Sequence, residues 1–212
     1  MKQTFKTIVK KDARFQPNAS ASYELAIMLG TRGCSAVILD AEQDKLVCFV
    51  DEPFNIHLSI EEFEDQIKQF LDNEIFSLNF SKVKIMYTSR KATLIPEALF
   101  DINNLKLYFE FNHELGDYEE IDYGRIRIGG MYSVFTVPSF VSSVTTNKFK
   151  HCEYIHQTIP LIESVLLSNK NKVGKKKMFV NVEHDFFDVV VVDGDSLVLY
   201  NSFFYSNEND FI

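Results

Sequence analysis

The sequence of 212 residues lacks tryptophan, has only three cysteines and contains no apolar run long enough to span a membrane. The cysteines (Cys34, Cys48 and Cys152) are odd in number and far apart, and two of them lie within apolar runs. This distribution favours buried free thiols over a disulfide framework. Because no hydrophobic segment follows the first residues either, we expect a cytoplasmic protein without membrane insertion.

Positive charge is also scarce, since 22 Lys and Arg residues face 30 Asp and Glu residues and leave a formal charge of −8. Binding to nucleic acid depends on cations that neutralise phosphates, so we expect no nucleic-acid partner. The segment Lys170–Lys177 (KNKVGKKK) is a local exception with five lysines, which we interpret as a solvated loop. With 46% hydrophobic residues, including 20 Phe and 9 Tyr, the chain can bury an aromatic-rich core.

The first third of the chain predicts a polar arm, a three-stranded antiparallel meander, a helix and a further strand. Apolar runs separated by turn residues indicate the meander. Ser59 and Glu62 form a capping box, followed by apolar residues at helical spacing. The strand after this helix is expected to pair in parallel within the same sheet. The predicted segments are the arm 1–22, the strands Tyr23–Leu29, Ser35–Asp40, Lys45–Val50 and Lys82–Tyr87, and the helix from Ser59.

The middle of the chain, residues 88–130, is less clear. Pro96 could open a helix over Glu97–Asp101, and Leu105–Phe111 fits either a helix or a strand. After it the apolar pattern predicts further elements. These are the strands Ile121–Ile128, Met131–Val137 and Lys150–Ile155 and the helices Pro138–Asn147 and Thr158–Leu167.

The layout of the N-terminal meander returns at the C-terminal end. Leu25–Phe49 and Met178–Phe203 both contain a strand, a short loop, a strand, a tight turn and a strand. In the second copy the turn Asp193-Gly194-Asp195 is a strong hairpin signal. A separation of about 150 residues is too long for a solenoid or a propeller, so it indicates duplication of a whole subdomain. The predicted strands of this copy are Lys177–Val182, Asp188–Asp193 and Ser196–Phe204.

This α/β arrangement resembles the actin-like ATPase fold, in which two ribonuclease-H-like lobes of mixed sheet and helices face each other. The segments RKATLIPEALFD, YFEFNHEL and YSVFTVPSF, which start at Arg90, Tyr108 and Tyr132, resemble an uncharacterised bacterial family with that fold. This family is distantly similar to the actin-like assembly proteins of type IV pili, and the resemblance covers roughly residues 20–212.

The resemblance implies a first lobe over residues 23–170 with an insertion near 88–130, and the start of a second lobe over residues 171–212. An actin-like lobe would continue past Phe204, so either the chain is longer than Ile212 or the second lobe is truncated. In the second case an open strand edge is left for a protein partner or for a homo-oligomer.

The resemblance also shows departures at the nucleotide site. An actin-like ATPase places an Asp at the end of the first strand to hold the metal, followed by Gly-Thr. Here Gly30 and Thr31 are present, but Leu29 occupies the acid position, so magnesium lacks this ligand. The second phosphate loop would fall on Asn181–Phe187, which lacks the glycines that allow backbone N–H groups to approach phosphates. We therefore expect no cofactor, no metal and no catalytic residue.

Two short segments are candidate ligand-binding sites. Gly30, Thr31, Arg32 and Gly33 could hold an anion with their backbone amides, although a plain hairpin turn is the favoured interpretation. Glu183 and His184, with Asp185 beside them, could supply a general base. Adjacent strand residues point to opposite faces, which again favours a turn.

Other polar residues give no site by their spacing. His151, Cys152 and His156 match no zinc pattern. Five acids fall at predicted strand ends or turns, where acidic residues are common, so they do not indicate a metal-binding carboxylate cluster. They are Asp40, Asp51, Glu52, Asp193 and Asp195. The leading hypothesis is a non-catalytic actin-like scaffold or adaptor; the alternative is a nucleotide- or small-ligand-binding ATPase with unusual residues. The charge and the missing acid cluster disfavour a nuclease.

Overall fold

The computed structural model describes residues 7–30, 32–54, 58–170, 174 and 176–211. Contacts group the chain into two units, each made of two segments. Unit 1 contains residues 1–88 and 137–155, and unit 2 contains residues 89–136 and 156–212. The chain thus leaves unit 1 at Ser89, returns at Val137 and leaves again after Ile155. The predicted division into lobes at residue 170 lies elsewhere and stays a prediction.

The described residues form strands and helices in the following order along the chain. The strands are β1 (Ile8–Lys11), β2 (Tyr23–Gly30), β3 (Gly33–Asp40), β4 (Lys45–Pro53), β5 (Lys82–Tyr87), β6 (Ala92–Pro96), β7 (Glu119–Ile126), β8 (Met131–Pro138), β9 (Glu153–His156), β10 (Lys176–Val182), β11 (Phe186–Asp193) and β12 (Ser196–Phe204). The helices are α1 (Ile60–Leu71), α2 (Leu105–Glu110), α3 (Ser139–Lys148) and α4 (Thr158–Asn169).

Unit 1 is built on a six-stranded sheet in the order β1-β4-β3-β2-β5-β9. The predicted meander β2-β3-β4 is antiparallel, and β5 joins the same sheet in parallel, as expected; its neighbour there is β2. In β2 the buried side chains of Tyr23, Leu25 and Ile27 alternate with less buried residues. This two-residue period is what the sheet geometry requires of a strand with one face in the core.

Helix α1 begins as the sequence predicts. The Ser59 side chain accepts a hydrogen bond from the Glu62 N–H at 3.2 Å, and the Glu62 carboxylate accepts one from the Ser59 N–H at 2.9 Å. This capping box satisfies two N–H groups that the first turn leaves without helical partners. The helix packs on α3, where the rings of Phe63 and Phe140 lie 5.7 Å apart.

Unit 2 contains two three-stranded sheets, β6-β8-β7 and β10-β11-β12. Helix α4 contacts β7 of the first sheet and β11 and β12 of the second. Its buried residues Ile162 and Leu166 lie four positions apart, on one face of the helix. The pairing of β10 with β11 and of β11 with β12 forms the second predicted meander. Its origin by duplication stays a prediction. Other fully buried core residues of this unit are Phe109, Ile126, Val134, Phe135, Val190 and Val192.

The structure adds detail to some local predictions and contradicts others. The arm carries the short strand β1, which pairs with β4 at the sheet edge. Pro96 does not open a helix: it ends the unpredicted strand β6, and a single 3-10 turn, Glu97–Leu99, follows. The ambiguous aromatic segment is helix α2. Strand β9 starts at Glu153, later than predicted.

The burial of the three cysteines largely follows the prediction of buried free thiols. Cys34 and Cys48 are buried free thiols, as expected, whereas Cys152 is only half-buried. Burial raises the pKa of Cys34 and of Cys48, so both stay protonated at neutral pH.

Within the described part of the chain, no helix is both long and apolar enough to cross a bilayer. Residues 171–173 and 175 of the lysine-rich segment lie outside the described residues.

Candidate functional site

The first candidate segment, Gly30–Gly33, is the hairpin between β2 and β3 in unit 1. Gly33 has φ +151°, and a Cβ there would overlap the Glu52 carbonyl oxygen and lie 2.8 Å from the Pro53 Cα. The carbonyl of Arg32 accepts a hydrogen bond from the Phe54 N–H at 2.9 Å. The glycine is thus needed for a close approach to β4, which favours the structural role. Thr31 lies outside the described residues.

Leu29, the residue directly before Gly30 at the end of β2, belongs to the core of unit 1. Its exposed fraction is 0%, and its carbonyl accepts a hydrogen bond from the Thr88 N–H at 3.0 Å. Thr88 is itself buried, and its hydroxyl has no hydrogen-bond partner among the described residues. A Cβ on Gly30 would lie 3.3 Å from the Thr88 Cβ. The end of β2 therefore presents packed apolar groups and one buried hydroxyl, where a carboxylate would lose its hydration.

The second candidate segment, Glu183–Asp185, is the turn between β10 and β11 in unit 2. The Glu183 N–H donates to the Phe186 carbonyl at 2.9 Å, and the Glu183 carbonyl accepts from the Tyr205 hydroxyl at 2.6 Å. The Glu183 carboxylate accepts a hydrogen bond from the Asn181 amide at 3.2 Å. These bonds support the turn interpretation. The structure places the two candidate segments in different units.

The acids and histidines that the sequence singles out do not form a metal site. Over the ranges that the structure describes, no three His, Cys, Asp or Glu residues are grouped so that they could hold an ion. Asp40 instead accepts hydrogen bonds from the N–H groups of Glu42 and Gln43 in a turn, both at 3.1 Å. Glu52 accepts one from the Thr7 hydroxyl at 2.8 Å. These contacts are the turn and strand-end roles expected of such residues.

A larger feature of unit 2 is a cavity of about 700 Å³, within the size range of ligand pockets. Its walls come from β6 and the residues before it, from the loop that follows α2, and from β12. Polar side chains predominate among them. The lining residues are Arg90, Lys91, Ala92, Thr93, Leu94, Asn112, His113, Glu114, Tyr200, Asn201 and Ser202.

The two cations at this cavity differ in their partners. The Lys91 ammonium lies 2.7 Å from a Glu119 carboxylate oxygen and 3.1 Å from the Glu114 carbonyl oxygen. The Arg90 guanidinium lies 5.3 Å from the centre of the Phe204 ring, a cation–π distance. No ion pair of Arg90 occurs among the described residues. Arg90 is therefore the cation that remains available to a ligand.

Beneath the cavity wall lies a buried carboxylate. Asp188 on β11 has an exposed fraction of 0% and accepts hydrogen bonds from the Tyr200 hydroxyl at 2.9 Å, from the Ser202 hydroxyl and from the Asn181 amide at 3.3 Å. Burial and then the charge of Asp188 raise the pKa of Tyr200, so the phenol stays a donor. This network ties the cavity face of β12 to the middle strand of its sheet.

A second polar network of unit 2 surrounds His156, which is fully buried. Its Nδ1 accepts a hydrogen bond from the Thr158 N–H at 3.4 Å, so Nε2 carries the proton and donates to the Ser89 hydroxyl at 3.1 Å. The Thr158 hydroxyl is also bonded to the Ser133 hydroxyl at 2.8 Å. Burial lowers the pKa of His156 to about 3, so the ring is neutral. This arrangement is the satisfied core histidine expected of a structural role.

Sequence reasoning missed the cavity and both networks. Asp188 is the one acid among apolar residues in FFDVVVV, and such an interruption of a buried strand is the signal that could have identified it. His156 carries no comparable signal, because its partner Ser89 is 67 residues away in the sequence.

The chain matches the family model described as a protein of unknown function (DUF3822) over residues 12–212. A crystal structure from Bacteroides thetaiotaomicron VPI-5482, of a protein with an actin-like ATPase fold and unknown function, matches with a TM-score of 0.87 and 24% identity. The match covers 94% of this chain and 76% of that one. No curated protein matches the sequence.

A more distant match is the type IV pilus biogenesis complex PilM–PilN, with a TM-score of 0.53 and 10% identity. It covers 88% of this chain, which spans 62% of the length of the matched chain. At these identities the structural likeness shows the fold alone, which confirms the predicted α/β fold class. The chain belongs to the DUF3822 family and has the actin-like ATPase fold.

Proposed function

We propose that this protein is a non-catalytic scaffold or adaptor of the actin-like fold. The observation that carries the proposal is the fully buried Leu29 at the end of β2, where the ATPases of this fold place a metal-binding Asp. Magnesium requires oxygen ligands and keeps a strict octahedral geometry, so an apolar side chain cannot replace the carboxylate.

The second phosphate loop supports the same proposal. The segment of this chain that corresponds to that loop, Asn181–Phe187, contains Glu183. The backbone carbonyl and the N–H group of Glu183 both form hydrogen bonds within unit 2. A loop that binds phosphate keeps such N–H groups free for the ligand. The likeness to PilM, which is found in a complex with PilN, supports a role in protein assembly.

Calorimetric titration with Mg-ATP tests the proposal. We expect no heat of binding and no change in Tm at millimolar nucleotide. A ligand present at 100 times its Kd stabilises a protein by about 2.7 kcal/mol, so a micromolar affinity would be seen easily. Such an affinity, with a rise in Tm that depends on magnesium, would contradict the proposal.

The alternative is a nucleotide- or small-ligand-binding ATPase that uses unusual residues. It is favoured by Asp185, whose Oδ1 is buried without a hydrogen-bond partner in the described structure, next to Glu183. In this case Glu183→Gln should abolish ATP hydrolysis while the melting temperature changes little. An ATPase assay without turnover in the unaltered protein removes this alternative.

A further inference from the structure

Two edge strands line the cavity of unit 2. Strand β6 is the outermost strand of the sheet β6-β8-β7, and β12 is the outermost strand of the sheet β10-β11-β12. Residues 92–94 of β6 and 200–202 of β12 both contribute to the cavity wall. An edge strand carries backbone N–H and C=O groups that can pair with a further strand.

The pairing of β12 with β11 shows which of its groups face outward. The Tyr205 N–H donates to the Asp185 carbonyl at 3.1 Å, so Tyr205 and every second residue before it point toward β11. The backbone groups of Tyr200, Ser202 and Phe204 therefore point away from the sheet. The Ser202 N–H is occupied by the Asn201 side chain at 3.0 Å. Among the described residues, the Tyr200 N–H and the Tyr200 and Ser202 carbonyls have no partner.

Strand β6 has fewer backbone groups available for pairing at its outer edge. The Ala92 N–H donates to the Arg90 carbonyl at 3.1 Å, and the Ala92 carbonyl lies 3.2 Å from Nε2 of His113. Of the other outward positions, only Leu94 offers both a donor and an acceptor, because Pro96 has no N–H. Strand β12 is therefore the edge that can accept a strand, and β6 forms the opposite wall.

The positive charge of Arg90 near the end of β12 indicates which side chains a strand paired with this edge would carry. Arg90 lies against the ring of Phe204, at the end of the outward-facing series, and has no ion pair in the described parts of the chain. Lys91 is already neutralised by Glu119. A guanidinium in this state binds a carboxylate with charge-assisted hydrogen bonds.

We propose that β12 binds an extended segment of a partner protein as an added strand, with an acidic side chain of that segment on Arg90. Tyr200 to Phe204 spans about 13 Å at roughly 3.3 Å per residue, so the paired part is about five residues long. Backbone pairing supplies affinity in such complexes and side-chain contacts supply specificity. This inference specifies the partner of the proposed scaffold function, and its test does not involve nucleotide, so either can fail alone.

The test is selection of displayed random decapeptides on the full chain, followed by fluorescence anisotropy with the synthesised peptides. We expect enriched peptides to contain Asp or Glu and to lose affinity at least about tenfold for Arg90→Ala. Arg127→Ala is the matched control, because Arg127 is exposed in the same unit and does not line the cavity, and it should change nothing. Unchanged melting temperatures establish that both variants fold.

Backbone methylation separates strand addition from other binding modes. Only every second residue of an added strand bonds to the edge, so N-methylation of one alternate set of peptide residues should abolish binding and the other set should be tolerated. Equal tolerance of both sets, equal affinity for Arg90→Ala or the absence of any enriched peptide overturns the inference. Displacement of the peptide by inorganic phosphate alone at millimolar concentration also overturns it, because the site would then recognise only an anion.

Discussion

Acidification should destabilise this protein through His156, and the size of the effect follows from its burial. The ring is fully buried, with Ser89 bonded to one nitrogen and Thr158 to the other. Burial, with a smaller contribution from His113, holds the pKa of His156 at about 3, against its ordinary value of 6.5. Protonation would require a second N–H at Nδ1, where the Thr158 N–H already points. The folded protein therefore disfavours protonation of the His156 ring.

The sign of the effect follows from where the proton binds first. Because the pKa is lower in the folded protein, the unfolded chain takes up the proton first as the pH falls. The stabilisation is fully present above pH 6.5 and is lost progressively toward pH 3. One proton costs about 1.4 kcal/mol per pH unit well below pH 6.5, but the unfolded ring is only half protonated at pH 6.5. From pH 6.5 to pH 4.5 the free energy of unfolding should therefore fall by about 2 kcal/mol.

Urea unfolding at pH intervals measures this slope, and His156→Gln is the matched variant. Glutamine removes the titrating group but keeps a donor for Ser89, so the variant should lose stability at pH 7 and show a slope smaller by one proton. Carboxylates titrate in both proteins, and their contribution cancels in the difference. An NMR titration in which the His156 ring protonates near pH 6, or equal slopes in the two proteins, would refute this reasoning.

Three further predictions concern the backbone and the polar contacts, each measured by urea unfolding. Gly33→Ala should cost more than about 2 kcal/mol, because its Cβ meets the β4 backbone, whereas Gly130→Ala, at φ +59° with open space around it, should cost only about 1 kcal/mol. Equal costs would contradict the close-approach argument. Tyr200→Phe should cost about 2 kcal/mol, since it removes a donor to the buried Asp188 carboxylate, and no loss would show that this bond is not formed. Ser59→Ala should cost about 1 kcal/mol through the lost helix cap, and an unchanged stability would exclude the capping box in solution.

Much of the fold follows from short-range signals. The alternation in Tyr23–Gly30, the capping box at Ser59 and the turn at Gly194 each involve residues within a few positions of one another. Their physics is local: a strand exposes alternate side chains on opposite faces, and a helix start needs acceptors for its first N–H groups. For this reason both meanders and α1 could be predicted.

The apolar character of the end of β2 can be read directly from the sequence. The structure adds that Leu29 there is buried. The candidate residues at the two turns were identified with their favoured structural interpretation, which the contacts of Gly33 and Glu183 support.

The cavity, the open edge and the two polar networks could be decided only by tertiary structure. Arg90 meets Phe204, and His156 meets Ser89, across long separations in the chain. Strand β6 was missed because the strand that it pairs with, β8, is distant in sequence. Contacts between distant segments depend on how sheets and helices pack together, and no periodicity along a chain encodes which side chains meet there. The sequence by itself therefore determined the two meanders, helix α1 and the apolar end of β2. The packing of the elements determined which strands and side chains form the surface that we propose for a partner.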